Sequence, residues 1–324
     1  MRIGFYGGSF APPHIGHLAA AHFFARQLQL DELLIMPAAQ APLKEAASLC
    51  PIQHRLELCR LTFPFSISEI ELQRIGESFT IDTLLQLRGT YPDAELFMLI
   101  GTDQLAQFTR WYRWQEILQL CTVCALQRDT TPLQTQLPVQ LLSGFVPVEI
   151  SSTKLRGMIA MGEDVSAYLT PQALAYIHEH KLYLEPSLPA ARLQHSCNVA
   201  ETAVQLAKLH GVDVAKARFA GLWHDCGKYM AEHALMHGPA GADYLQQHMG
   251  VDDEDVLNAV RYHTVGREGM SLLEQIIVAA DLTSADRDYP DVEHVRALVQ
   301  QDLAVCCRYI MEYKAKAFFS RHAK

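Results

Sequence analysis

The segment Gly7-Gly8-Ser9-Phe10-Ala11-Pro12-Pro13-His14-Ile15-Gly16-His17 follows a short apolar run, Ile3 to Tyr6, and precedes a run of helical period, Leu18 to Leu30. A strand, a glycine turn and a helix start in that order commit this part of the chain to an α/β arrangement. Glycine lets backbone N–H groups approach a ligand closely, and a helix N-terminus adds partial positive charge, so the turn suits a phosphate. Two histidines three residues apart at its exit add donors that titrate near neutral pH.

The next 130 residues keep the same alternation. Leu33 to Met36 reads as a short strand ending at Pro37, Pro51 to Phe63 as a helix, Phe65 to Ile70 as an alternating strand and Ile81 to Leu87 as a helix. Leu96 to Ile100 is continuously apolar, as buried parallel strands are. Trp114 to Leu120 and Cys121 to Leu126 give another helix and strand, and Val146 to Ile150 is expected to be the last strand. The pattern predicts a doubly wound parallel sheet with helices on both faces and a ligand site at the carboxyl ends of the strands. Polar or glycine clusters fall at those ends: Gly7–Ser9, Gly101–Asp103 and Ser151–Thr153. In Ser151-Ser152-Thr153-Lys154-Leu155-Arg156, three hydroxyls sit at a strand-to-helix turn with a guanidinium one turn on, donors that could cradle a polyphosphate.

Thr170-Pro171 reads as an N-cap followed by proline at the first helical position of a helix running to Glu179. Glu185-Pro186-Ser187-Leu188-Pro189 then breaks the pattern, which places a boundary between domains 1–186 and 187–324. From Ala190 the period is helical throughout, with turns expected at Gly211, His237-Gly238-Pro239, Gly250 and Gly266–Gly269. Ser271-Leu-Leu-Glu274 is a capping box that opens a helix carrying Asp281. The second half is read as an all-α bundle.

A chain of 324 residues favours two domains. The formal charge of −9 divides into −5 for residues 1–186 (13 basic, 18 acidic) and −4 for 187–324 (14 basic, 18 acidic). Neither half has the basic excess of a nucleic-acid binder, so no nucleic-acid partner is expected and the ligands are read as small molecules. No apolar run is long enough to span a bilayer and no leader precedes the first strand, so no membrane partner is expected. The eight cysteines read as reduced thiols of a cytoplasmic protein. Cys121 and Cys124 form a CxxC inside a strand-like run with no second pair, which suits core packing better than zinc. Nine of the fifteen histidines follow residue 186, a skew that points to metal chemistry in the second half. A homo-oligomer is compatible with all of this.

Taken together, the Gly7–His17 and Ser151–Arg156 turns resemble those of the nucleotidyltransferases that activate ATP. With Arg74-Ile-Gly-Glu-Ser78-Phe79-Thr80-Ile-Asp82-Thr83-Leu84, Ile100-Gly101-Thr102-Asp103 and Trp111-Tyr112-Arg113-Trp114, the resemblance narrows to bacterial nicotinate-nucleotide adenylyltransferases over Met1 to about Leu184. It implies attack by the phosphate of nicotinate mononucleotide on the α-phosphorus of ATP, with magnesium neutralising the leaving pyrophosphate. It implies that His14, His17 and Arg156 are catalytic. Gly8, Ser9, Phe10, Gly101, Asp103, Ser151, Ser152 and Thr153 would line the ATP side. Lys44, Thr80 and Trp111 would meet nicotinate mononucleotide. Two positions depart from the family pattern. Ala11 stands where an acidic or amide residue is usual, and Leu43 where histidine is usual.

In the second half His195, the pair His224-Asp225 and Asp281 occur in the order of the HD phosphohydrolase ligands. His237-Gly-Pro-Ala-Gly-Ala242 and Arg261-Tyr-His263-Thr-Val-Gly-Arg267 resemble segments of bacterial symmetrical diadenosine tetraphosphate hydrolases, an HD family with a di-iron centre. That resemblance implies that His195, His224, Asp225 and Asp281 hold one metal ion. Asp225, His237 and His263 would hold a second, two iron or manganese ions in all, with Asp225 bridging. His233, four residues before His237, competes with it for the ligand role, and His237 is taken as the ligand. Asp225 and Lys228 would be catalytic, and Lys228 and Arg267 would meet the polyphosphate. The reading is a bifunctional enzyme acting on ATP, nicotinate mononucleotide and diadenosine tetraphosphate. Two alternatives stand for the helical half: a phosphohydrolase of other nucleotides, or a nucleotide-binding regulatory module without turnover.

Overall fold

The computed structural model describes residues 1–38, 50–74, 79–126, 135–231 and 233–322. Strands and helices alternate through the first part: β1 (Arg2–Gly8), α1 (Ile15–Gln27), β2 (Glu32–Pro37), α2 (Ile52–Thr62), β3 (Ser66–Ile67), α3 (Thr80–Thr90), β4 (Glu95–Gly101), a single turn α4 (Thr102–Leu105), α5 (Trp114–Leu120), β5 (Thr122–Leu126) and β6 (Gln140–Leu142). The strands form one wholly parallel sheet in the order β3-β2-β1-β4-β5-β6. Side chains alternate faces along a strand, and both faces here are covered. Ile3, Phe5, Met36 and Met98 pack with Ile81 and Leu84 of α3 and Ile117 of α5. Tyr6, Ile35, Leu99 and Cys124 pack with Ala20 and Phe24 of α1 and Cys59 of α2. The sheet is doubly wound, as its sequence pattern predicts. Strand order reverses between β1 and β4, so their carboxyl ends, Gly8 and Gly101, flank the crevice where open α/β sheets bind ligands.

Two strand expectations need correction. Only Ser66–Ile67 of the Phe65–Ile70 run joins the sheet, and the last strand is Gln140–Leu142 instead of Val146–Ile150. The later stretch cannot sustain a ladder, because Pro147 has no N–H to donate and Val146 is 83% exposed. It lines a cleft.

The remaining helices are α6 (Ser152–Met161), α7 (Pro171–Glu179), α8 (Ala190–His210), α9 (Val214–Trp223), α10 (His237–Met249), α11 (Glu254–Tyr262), α12 (Leu272–Thr283), α13 (Val292–Gln301) and α14 (Leu303–His322). Thr170 caps α7 by accepting from Ala173 N at 3.3 Å. The chain divides into two compact units, Met1–Ser152 with Val165–His180, and Thr153–Asp164 with Lys181–Lys324. The second is helical around a core that includes Val199, Leu206, Phe219, Trp223, Leu245, Val260, Ile276, Ile277 and Ile310. His237-Gly238-Pro239 does not form the expected turn but opens α10. Proline is tolerated there because a first-turn N–H has no partner within the helix. Gly238 lets α10 approach α11 closely, since a Cβ on it would lie 2.5 Å from the Arg261 carbonyl oxygen. That approach sets His237, the first residue of α10, against His263, the C-cap of α11.

Candidate functional sites

In the first unit, His14 is the N-cap of α1 and His17 its third residue. The His14 backbone N–H donates to His17 Nδ1 at 3.3 Å, and the two rings stack with centroids 3.7 Å apart. Because Nδ1 accepts, the neutral His17 ring carries its proton on Nε2. Phe10 is buried between Tyr6 and Phe63 and sets its edge against the His17 ring at 5.2 Å. It is a wall behind the histidine. His14, Gly16, His17, Ala20, Phe145, Pro147, Val148, Ile150, Ser151 and Ser152 line one cleft of about 130 Å³. Ser152 Oγ donates to the Pro12 carbonyl at 2.8 Å, tying the two sequence-distant turns together. Buried Arg55, a residue the sequence reading passed over, donates 2.8 Å bonds to the carbonyls of Ser9 and Ala38 and so pins the Gly8-Ser9 turn beside the end of β2.

Gly101 is buried at the end of β4 and Asp103 is exposed in α4. Thr80 opens α3, and half-buried Trp111 packs on Phe108 at 5.2 Å. Their neighbours Phe79 and Tyr112 touch at 4.9 Å, which brings the two segments together. Leu43, Lys44 and Ser78 lie outside the described residues. Thr153 and Arg156 belong to the second unit. There the buried Arg156 donates from Nε to the His248 carbonyl at 2.7 Å and from Nη2 to Thr153 Oγ1 at 3.2 Å. Its guanidinium is thus held by the end of α10.

The second unit gathers every histidine and aspartate expected as a metal ligand. Asp225 Oδ1 lies 3.2 Å from His237 Nε2 and 3.6 Å from both His263 Nε2 and His224 Nε2. Asp281 Oδ1 lies 3.3 Å from His195 Nε2 and 4.0 Å from His224 Nε2. His233 is exposed, whereas His237 is buried in the cluster. Two overlapping ligand sets result, His195–His224–Asp281 and His224–Asp225–His263.

Hydrogen bonds set the tautomers. His224 Nδ1 donates to the Gly221 carbonyl and His263 Nδ1 to the Val260 carbonyl, both at 2.7 Å, and His195 Nδ1 meets Asp286 Oδ2 at 2.7 Å. Outer partners of this kind fix ring orientation and present the other nitrogen as a ligand atom. Burial pushes the His224 imidazole down to about 4 and lowers His263 as well, so both are neutral at pH 7. Burial alone would raise the Asp225 carboxyl, but its contacts with His237 and His263 and the charge of Lys228 outweigh it and hold it well below the usual carboxylate range. Burial likewise opposes ionisation of Asp281, and Lys314 and His195 reverse it.

Thr264 Oγ1 approaches His237 Nε2 at 3.1 Å and His263 Nε2 at 3.0 Å. His237 Nε2 and His263 Nε2 face each other at 2.9 Å, and His224 Nε2 is buried with no hydrogen-bond partner. Imidazole nitrogens and two carboxylates converging in a buried cluster make a donor set suited to divalent cations, so the residues fit a pair of divalent metal ions.

Four charged residues around the cluster were not anticipated. Arg287 binds Asp281 and approaches His195 Nε2 at 3.1 Å. Lys314 Nζ lies 3.5 Å from Asp281 Oδ2, Asp286 backs His195, and Arg192 Nη1 lies 3.7 Å from Asp225 Oδ2. Only Arg192 had a local signal, standing three residues before His195 on one helix face. Lys228 Nζ meets Asp225 Oδ2 at 2.9 Å. Arg267 makes two 2.7 Å bonds to Glu274, which is 1% exposed, so its fork is engaged away from Asp225.

A cytidylyltransferase-like family model matches residues 5–158, and an HD domain model matches residues 192–286. A probable nicotinate-nucleotide adenylyltransferase of Shouchella clausii is 37% identical over 186 residues, 56% of this chain and 96% of its own length. The chain belongs to the nicotinate-nucleotide adenylyltransferase family. Its helical half carries an HD domain, as the order of its histidines and aspartates anticipates. A probable nicotinate-nucleotide adenylyltransferase/Ap4A hydrolase of Mycoplasma pneumoniae is 26% identical over 95% of this chain and 97% of its own. A crystal structure of a predicted HD superfamily hydrolase involved in NAD metabolism from Clostridium acetobutylicum, 35% identical, covers 42% of this chain and 82% of its own, with a TM-score of 0.40. Among the described residues no helix is long and apolar enough to cross a membrane.

Proposed function

We propose that this chain is a bifunctional enzyme. One activity transfers AMP from ATP to nicotinate mononucleotide, giving nicotinate adenine dinucleotide and pyrophosphate. The other hydrolyses diadenosine tetraphosphate to two ADP in the cytoplasm. The observation that carries the pairing is the presence of two separate polar sites of different chemistry, a stacked histidine pair in a phosphate-sized cleft and a buried histidine–aspartate cluster built for metals. The near full-length likeness to a relative bearing both names supports it.

In the first reaction the substrate phosphate attacks the α-phosphorus as the bond to the β-phosphate oxygen breaks, and pyrophosphate departs. A phosphate is a competent nucleophile, so the protein's contribution is alignment and charge stabilisation. His17 Nε2–H, held on that tautomer by the His14 N–H, donates to the phosphoryl oxygens as charge builds. The N-terminus of α1 adds its dipole. Thr80 and Trp111 hold the pyridine ring, and magnesium accompanies the triphosphate.

In the second reaction His195, His224, Asp225, His237, His263 and Asp281 hold two iron or manganese ions. When bound, such ions supply Lewis acidity and a water of lowered pKa. The chain's own contribution is to keep the buried His224 and His263 imidazoles neutral and aimed, and to leave Lys228 beside Asp225 to meet the phosphate chain. Product analysis after incubating the whole protein with diadenosine tetraphosphate and manganese tests the reading. Two ADP support symmetrical cleavage. ATP plus AMP, or no turnover with either metal, refutes it.

A further inference from the structure

Beside the histidine–aspartate cluster stands an aromatic ring that neither the core nor the chemistry above employs. Tyr229 follows Lys228 directly and is 63% exposed, with Met230 beside it 50% exposed. Arg192 ties this ring to the cluster. Its Nε donates to the Tyr229 hydroxyl at 3.0 Å, its guanidinium carbon lies 5.7 Å from the ring centroid, and its Nη1 reaches toward Asp225. Moving outward from the cluster, the order is carboxylate, two cations, aromatic face. A nucleotide carries its groups in the complementary order, metal-binding phosphates first and a flat base beyond them.

We propose that Tyr229 is the base-binding residue of the second site, its exposed face stacking on a purine while Arg192 and Lys228 hold the phosphates. The assignment rests on the hydrolase reading. It gives the site a means to prefer nucleoside polyphosphates over bare polyphosphate chains, because stacking on an aromatic ring is available to any base and to no phosphate. Arg192 suits the phosphate role better than Arg267. Releasing Arg267 would strand the buried Glu274 carboxylate, whereas Arg192 is 41% exposed and gives up only a tyrosine hydroxyl and a long contact to Asp225.

The test compares the full-length wild type with Tyr229→Phe and Tyr229→Ala. Tyr229→Ala is expected to raise KM for diadenosine tetraphosphate about tenfold with kcat within about twofold. It should weaken calorimetric binding of ADP about as much, while leaving inorganic pyrophosphate binding unchanged. Tyr229→Phe keeps the ring and is expected to stay near wild type in all three. The cleft of the first unit contributes equally to every isotherm, so differences between variants report Tyr229. Unchanged KM and ADP affinity in Tyr229→Ala would overturn the stacking. So would equal losses in Tyr229→Phe, or a pyrophosphate loss matching that for ADP, since either means that the residue acts only through its hold on Arg192. A wild type without hydrolysis refutes the hydrolase reading instead, and the ADP and pyrophosphate comparison still decides the stacking.

Discussion

Gly16 separates the two histidines of the first site, and its lack of a side chain is a packing requirement. A Cβ there would lie 3.0 Å from the His14 ring, which is itself stacked on His17. Gly16→Ala must therefore shift the pair proposed to align the phosphoryl group. We expect adenylyl transfer to fall about threefold to tenfold, less than the about 10²-fold that a misplacement of about 1 Å costs, because relieving the contact takes only a few tenths of an ångström. His17→Ala, which deletes the donor outright, should lose about 10²–10³ in kcat. Steady-state assays beside unchanged circular dichroism check both, and full turnover by His17→Ala would remove this residue from the mechanism. The histidines and aspartates that gather in the cluster were legible because metal chemistry demands particular side chains at particular spacings. Those that position them were not. Asp286 serves His195 from 91 positions away, and Arg287, in the loop after α12, and Lys314, on α14, are ordinary cations until the fold turns them onto Asp281. Arg156 was legible as a motif residue, but not its engagement by the His248 carbonyl, because a backbone acceptor leaves no mark in composition.

At the scale of elements, caps were read correctly and edge pairing was not. Thr170 and Ser271 cap α7 and α12 as their local patterns indicate, with Glu274 closing the Ser271 box, because a cap is decided within four residues. β6 was misplaced because a strand forms only where a neighbour accepts its ladder, and that information is not local. The N-cap of α11 bears directly on function, since this helix presents His263. Asp253 accepts from Asp255 N at 3.0 Å and Val256 N at 3.1 Å and pairs with Lys216. Burial nudges its carboxyl upward, but the bond from Lys216 prevails and its pKa is lowered. A depressed carboxylate contributes stability above its unfolded pKa of about 3.9 and loses it as pH falls through the folded value. Asp253→Ala should cost about 1 kcal/mol at pH 7, a deficit that shrinks toward pH 3. Asp253→Asn, which still caps, should keep most of the stability and lose the acid dependence. Thermal unfolding from pH 7 to pH 3 checks this: no deficit at pH 7 would mean that the cap contributes nothing, and a deficit equal at every pH that the carboxylate charge contributes nothing.

For the whole molecule, the two ligand chemistries make separable demands on metal. The first site offers imidazole N–H, hydroxyls and backbone amides to phosphate oxygens, and a cation there arrives with the triphosphate. Magnesium suffices for that, since it keeps most of its waters and binds through substrate phosphates. The second site offers four imidazoles and two carboxylates, a nitrogen-rich set for which magnesium competes poorly and iron or manganese well. Protein stripped by a chelator and then given magnesium alone should recover adenylyl transfer but not hydrolysis of diadenosine tetraphosphate. Adding iron(II) or manganese should restore hydrolysis without changing the first rate. Asp225→Ala should resemble the magnesium-only protein permanently, because the carboxylate oxygen nearest three imidazoles is gone. Its adenylyl transfer should stay within about twofold of wild type if the two sites act independently, since independent sites are additive. If magnesium alone restored both activities, the histidines would be structural and the cluster would not be the hydrolytic centre. If Asp225→Ala silenced adenylyl transfer in a folded protein, the two chemistries would share a determinant.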